Sequence, residues 1–172
     1  MSEKLKDVVC GMEVDADSFA HDYAGTRYAF CSTQCRDRFL AHPHLFIGVP
    51  GQPAPKQQGR SVLKRRSFDL QTALAPEQAN SVIEHVRTLM GIEVVEADGT
   101  RVRITYDLLQ VSAEDIEAAL VTAGAKLGEG WAAALKRGFT HFTEECEIGN
   151  LEVGPRFGSR RSPGSATCHR KD

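Results

Sequence analysis

The sequence predicts an α+β protein made of a small cysteine-bearing knuckle, a βαββαβ unit of ferredoxin-like order and an extra C-terminal helix. Three observations carry this. Three of the five cysteines fall within residues 10–35. A stretch rich in proline, glycine and basic residues then separates that segment from the rest. Beyond it, apolar periodicity switches between strand and helix spacing in the order strand, helix, strand, strand, helix, strand.

Length and composition set the outer limits. The chain has 172 residues, enough for one ordinary domain or two small ones, and 41% hydrophobic content, enough to bury a core. The N-terminus MSEKLKDVVC carries no apolar leader and no long apolar run follows, so the expected location is cytoplasmic, without membrane insertion. In a cytosolic chain, clustered cysteines point to metal binding or reactivity rather than disulfides. A formal net charge of −2 speaks against a nucleic-acid binder. The chain shows no glycine-rich phosphate loop, nucleophile elbow or paired-carboxylate motif, so it is not expected to be an enzyme.

The knuckle occupies residues 1–48. Val8-Val9-Cys10-Gly11-Met12 reads as a short strand entering a tight turn, with Gly11 free to take positive φ. Tyr23 to Phe30 reads as a hairpin turning at Ala24-Gly25. Ser32 is a helix N-cap, the helix runs from Thr33 to Ala41 with Phe39 and Leu40 as its apolar face, and Pro43 stops it. Cys31 thus precedes a helix and Cys35 lies in its first turn, where the positive end of the helix dipole favours thiolate over thiol. One turn of separation can aim both sulfurs at one ion, with Cys10 arriving from the knuckle. Three sulfurs favour Cu(I), Ag(I) or Hg(II), or zinc if a fourth ligand joins. Cu(I) heads this list. Met12 is a soft candidate for a fourth position and His21 a borderline one; as alternatives, Met12 fills a small core and His21 is a solvated surface residue.

The residues Asp7 to Val14, Tyr23-Ala24-Gly25, Tyr28-Ala29-Phe30-Cys31-Ser32, Cys35, Phe39 and Pro43 resemble a YHS domain, a relative of the TRASH metal-sensing knuckles. The resemblance implies a treble-clef-like knuckle with Cys10, Cys31 and Cys35 as metal ligands. This family occurs beside heavy-metal pumps, which makes a metal-transporting P-type ATPase or another metal-trafficking protein the expected partner. Ala29 stands where the family often has histidine, which tilts the site toward sulfur.

Residues 49–66 hold five basic residues and no acidic one, with Pro50, Pro53 and Pro55, and are expected to form an extended, solvated linker. In residues 67–128 the first strand covers Ser67 to Gln71. Pro76 opens a helix whose face is Ala79, Val82, Ile83, Val86, Leu89 and Met90, and Gly91 caps it. Ile92, Val94 and Val95 form the next strand. Asp98-Gly99 turns it, and Val102, Ile104 and Tyr106 alternate on the return. Ser112 with Asp115 starts a second helix that ends at Gly124, and Ala125 to Leu127 is a short last strand. Gly91-Ile92 and Tyr106-Asp107 resemble a heavy-metal-associated domain of the copper-chaperone kind. That family's Cys-x-x-Cys would fall at Ala75 and Gln78, where both cysteines are missing. The resemblance therefore implies a docking or homodimerising module without its own metal.

In residues 129–153, Trp131, Ala134, Leu135, Gly138, Phe139 and Phe142 predict a helix from Glu129 to Glu145 whose aromatic face packs on the sheet or a partner. His141, Glu145 and Cys146 share that helix, and Cys168-His169 lies in a glycine-, serine- and arginine-rich tail expected to be disordered over 154–172. Each is a weaker candidate for a second metal site, with a solvated polar face as the alternative.

Overall fold

The structure, a computed structural model, describes residues 3–153. The expected tail at 154–172 and Cys168-His169 lie outside these residues. Four short strands form two hairpins in the N-terminal segment. β1 (Lys4–Lys6) pairs antiparallel with β2 (Glu13–Asp15), and β3 (His21–Tyr23) with β4 (Thr26–Tyr28). Ala24 and Gly25, at φ of 49° and 78°, make the tight turn of the second hairpin, the two consecutive positive φ values that match the strands' twist. Helix α1 spans Thr33–Ala41 as expected, and the one-turn α2 (His44–Ile47) follows Pro43. Phe39 on α1 is fully buried, with ring centroids 4.9 to 6.3 Å from Tyr23, Tyr28, Phe30 and Phe46. Leu40, expected beside it, is exposed, because it points a helical step away from that aromatic cluster.

The first strand also differs from expectation. Pairing ends at Lys6 and Val8 to Cys10 form a turn, because Asp7 draws the backbone back on itself.

The second half is built on a three-stranded antiparallel sheet of order β5-β7-β6, with β5 Leu63–Asp69, β6 Ile92–Asp98 and β7 Arg101–Asp107. On the central strand Val102, Ile104 and Tyr106 are fully buried, as the period-two pattern requires. Helices α3 (Pro76–Arg87) and α4 (Ala113–Thr122) pack with this sheet through Val82, Val86, Ile116 and Leu120. Ser112 and Asp115 form the reciprocal cap at the start of α4. The expected last strand at Ala125 to Leu127 reduces to one bridge, Leu127 with Leu70, just beyond β5.

Residues 49–66 are not an extended solvated linker. Val49 bridges Gln52, residues 55–59 are turns, Ala54 and Pro55 are buried, and Leu63 to Arg66 already belong to β5. Lys64 and Arg66 share a strand face with Phe68, opposite Tyr106 and Ile104 of β7. Helix α5 (Trp131–Val153) answers these two cations: Glu147 lies 2.6 Å from Lys64 and Glu144 lies 3.5 Å from Arg66. Glu144, nearly inaccessible, also accepts hydrogen bonds from the Tyr106 hydroxyl and, at 2.8 Å, the Ala113 N–H.

Of the two expected placements of the aromatic face of α5, on the sheet or on a partner, the first does not hold. The buried face of this helix is Glu144 and Ile148, and its aromatic face is exposed. The helix is also longer than expected, running to Val153.

The two halves share one hydrophobic core that runs from Val9 through Phe39 and Phe68 to Ile148. Polar clamps reinforce it. The Gln34 side-chain amide exchanges two hydrogen bonds with the Met90 backbone, at 2.9 and 3.0 Å. The Arg38 guanidinium donates to the Leu108 and Leu109 carbonyls. Buried Asp107 accepts from Val62 N–H and Leu109 N–H, tying the entry to β5 to the exit of β7.

Because buried Glu144 accepts two hydrogen bonds and faces the Arg66 charge, Glu144→Ala is expected to lower the unfolding free energy by about 3–5 kcal/mol. Urea denaturation of the two proteins measures this directly.

Candidate metal centre

The site begins with a buried carboxylate. Asp7 follows β1, and its side chain is fully inaccessible. Oδ1 accepts from Val9 N–H at 2.8 Å and Cys10 N–H at 3.4 Å, the local turn that aspartate favours. Its backbone N–H donates to Met12 O and its carbonyl accepts from Gly11 N–H, closing the knuckle. Gly11 adopts φ of 85°, a conformation costly for a residue with a side chain. The second carboxylate oxygen, Oδ2, accepts from Cys31 N–H at 2.8 Å. One side chain thus joins the knuckle to the start of α1, 24 residues away in sequence.

The other wall is the N-terminus of α1. Ser32 caps the helix by accepting from Cys35 N–H, and one helical turn carries the chain from Cys31 to Cys35. Cys31 Sγ lies 3.5 Å from both Cys10 Sγ and Cys35 Sγ. Among the described residues, the donor atoms of Asp7, Cys10, Cys31 and Cys35 all lie within 4.8 Å of one another. Cys35 forms the buried floor, whereas Cys10 and Cys31 are partly open to solvent.

The structure therefore brings together the three cysteines singled out in the sequence and adds Asp7. His21 sits in β3 opposite Tyr28 and is not part of this group. Met12 is half exposed, so it does not fill a core. Among the described residues, His141, Glu145 and Cys146 form no second donor cluster. His141 Nε2 is 3.2 Å from Glu117 on α4, while Glu145 lies 3.8 Å from His42.

The electrostatics differ from the expectation based on the helix dipole alone. Burial pushes the Cys10 thiol up to about 12, and the neighbouring Cys31 and the Asp7 charge add to the rise. Cys35 is raised still further, first by burial and then by Asp7. Desolvation and a carboxylate in contact outweigh partial charges at a helix end. The donor set suits a cation all the same: sulfur ligands prefer soft or borderline ions, and Asp7 supplies compensating negative charge whether or not it binds directly.

Residues 5–48 match the YHS domain family model. The match takes in both hairpins except Lys4, α1, α2 and all four clustered donors, and it ends before β5. No curated protein and no solved structure matches the chain. The YHS segment thus carries a possible metal-binding cluster. No described helix is long and apolar enough to cross a membrane.

Asp7 belongs to the sequence motif without being one of its expected ligands. The readable signal was an aspartate placed two and three residues before Val9 and Cys10, the spacing of an aspartate-led turn. Its long-range bond to Cys31 has no local signature.

Raised thiol pKa values mean that Cys10 and Cys35 hold protons at neutral pH, and a cation must displace them. Each displaced proton makes the apparent affinity fall tenfold per pH unit of acidification. Loss of at least these two protons therefore predicts metal binding weaker by at least about hundredfold at pH ~6.5 than at pH ~7.5. Competitive titration at the two pH values tests this.

Proposed function

We propose that this protein binds a soft metal ion, Cu(I) first, through Cys10, Cys31 and Cys35, and hands it on or takes it up as cargo in the cytoplasm. The observation that supports this most is the cluster of three sulfurs, with Cys31 3.5 Å from each neighbour, two of them partly open to solvent. Buried sulfur on one side and accessible sulfur on the other suits ligand exchange with an incoming thiolate. A thiolate of the partner would replace one cysteine at a time while the remaining donors keep hold of the ion. A metal-transporting P-type ATPase or another metal-trafficking protein is the partner that fits this chemistry.

In this reading the knuckle is treble-clef-like and the unit from β5 to Leu127 is a ferredoxin-like docking module of the heavy-metal-associated kind. Support comes from the β5-β7-β6 order, the Leu127–Leu70 bridge and the two helices on the sheet. Ala75 and Gln78 stand where that family's cysteines would lie, so the module contributes surface and no metal ligand. No catalytic step is assigned.

A second reading rests on a separate observation. Asp7 lies in the donor cluster, and α1, which carries Cys35, is clamped to the second half through Gln34 and Arg38. Three sulfurs and one carboxylate could close a four-donor zinc site, whose occupancy would stiffen α1 and present the second half to a partner. The protein would then be a metal-responsive adaptor with a structural knuckle.

Anaerobic Cu(I) titration against a chromophoric competitor, with zinc in parallel, separates the two. Delivery predicts tight one-to-one Cu(I) binding, weakened at least about hundredfold by Ser replacement of Cys10, Cys31 or Cys35. Weak Cu(I) binding beside tightly held zinc favours the adaptor. Unchanged affinity for both metals in the triple Ser variant overturns the site itself.

A further inference from the structure

Cys146 takes no part in the metal cluster. It lies on α5, two turns before the helix ends at Val153, and it is disulfide-bonded. The chain has five cysteines, of which Cys10, Cys31 and Cys35 are free thiols. Within one chain, that leaves Cys168 to bond it. Cys146 also lines a groove of about 520 Å³ on α5, together with Phe139, Phe142, Thr143, Asn150 and Leu151. Phe139 and Phe142 are 67% and 57% exposed, so the groove opens to solvent. The helix cannot roll to close it. Glu144 is held by Tyr106, Ala113 and Arg66, and Glu147 by Lys64, so the rotational setting of α5 is fixed.

We infer that Cys146 and Cys168 form a disulfide within the chain that closes residues 154–168 back on α5, with Phe157 entering the groove, and that this bond is a redox-controlled latch. Reach permits it. Cys146 lies about 10 Å along the helix axis from Val153. Residues 154–167 span up to about 50 Å when extended, so the segment can double back with slack. Composition fits a groove rather than a core. Residues 154–172 hold one large apolar side chain, Phe157, and a ring set against Phe139 and Phe142 makes the contact that aromatic groups favour. The chemistry is thiol–disulfide exchange, with glutathione disulfide as oxidant. One cysteine thiolate attacks glutathione disulfide, expels one glutathione and becomes a mixed disulfide. The second cysteine thiolate attacks the protein sulfur of that bond and expels the other glutathione. Two electrons pass to glutathione disulfide, and the two protein protons end on the two glutathione thiols. In a reducing compartment such a bond is transient, which makes it a switch and not a staple. Neither sulfur then remains for a metal, so the bond and a Cys168-His169 metal site exclude each other.

The full chain, treated with glutathione disulfide, alkylated and digested with trypsin without reductant, should yield peptide 138–156 joined to peptide 162–170. Dithiothreitol should separate the two. Trypsin should cut after Arg160 and Arg161 at least about tenfold more slowly in the oxidised chain than in the reduced chain or in Cys168→Ser. Phe157→Ser should restore fast cutting with the bond intact. Alkylation of both Cys146 and Cys168 after oxidation overturns the proposal. So does Cys146 joined to another cysteine or to a second chain. Equal cutting in the two redox states, or a Phe157→Ser chain cut as slowly as the oxidised wild type, overturns the seating of the segment in the groove. None of these readouts depends on which metal the knuckle binds.

Discussion

The metal cluster depends on one buried carboxylate. Two chain segments carry its sulfurs, and they are separated by a pair of three-residue-strand hairpins too short to hold them rigidly on their own. Asp7 supplies the missing link. It orders the knuckle through Val9 and Cys10 and docks it on Cys31 with a single side chain. A charge placed there is costly without such partners, and three backbone N–H groups offset much of that cost. Burial first, and this charge with it, raises the neighbouring thiols, and the carboxylate matches the site to a cation. Structure and affinity for positive charge thus come from one residue, and they cannot be tuned independently by changing it.

Helix α1 extends this constraint to the rest of the molecule. Its first turn holds Cys35, its third position from the cap meets the metal cluster, and Gln34 and Arg38 reach the backbone of residues 90 and 108–109. Gln34 mimics a backbone partner by accepting from and donating to the same residue, Met90. A shift of α1 large enough to move Cys35 by an ångström would strain those bonds, because packed interiors with aromatic contacts at 5 to 6 Å do not deform freely. The knuckle and the sheet are therefore mechanically joined despite the proline-rich stretch between them.

What was legible in the sequence was what rests on local chemistry. The cap at Ser32, the turn at Ala24-Gly25, the alternation through Val102, Ile104 and Tyr106, and the approach of Cys31 to Cys35 across one helical turn all follow from short-range rules, and the structure carries each of them. What was not legible rests on pairing between distant charges. Lys64 and Arg66 look like solvated linker residues until Glu144 and Glu147, some 80 residues later, cover them. Nor does the sequence say that a carboxylate will be the inward group on α5 and four large apolar residues the outward ones. Hydrophobic periodicity locates an amphipathic helix well, but it assigns the wrong side to the core when the inner surface of a sheet is itself basic.

That inversion explains how the molecule can keep two surfaces separate. If the aromatic side of α5 had packed on β5, the Lys64 and Arg66 side chains would have been buried without counter-charges, at a cost several times that of leaving an apolar stripe in water. The acidic side therefore faces inward, and the exposed stripe is its geometric consequence. The thiols lie at the knuckle and the N-terminus of α1, while the stripe lies on α5 and contains none of the four clustered donors. A contact made through α5 thus leaves those donors unused, and the chemistry of the metal site is not committed by what covers the helix.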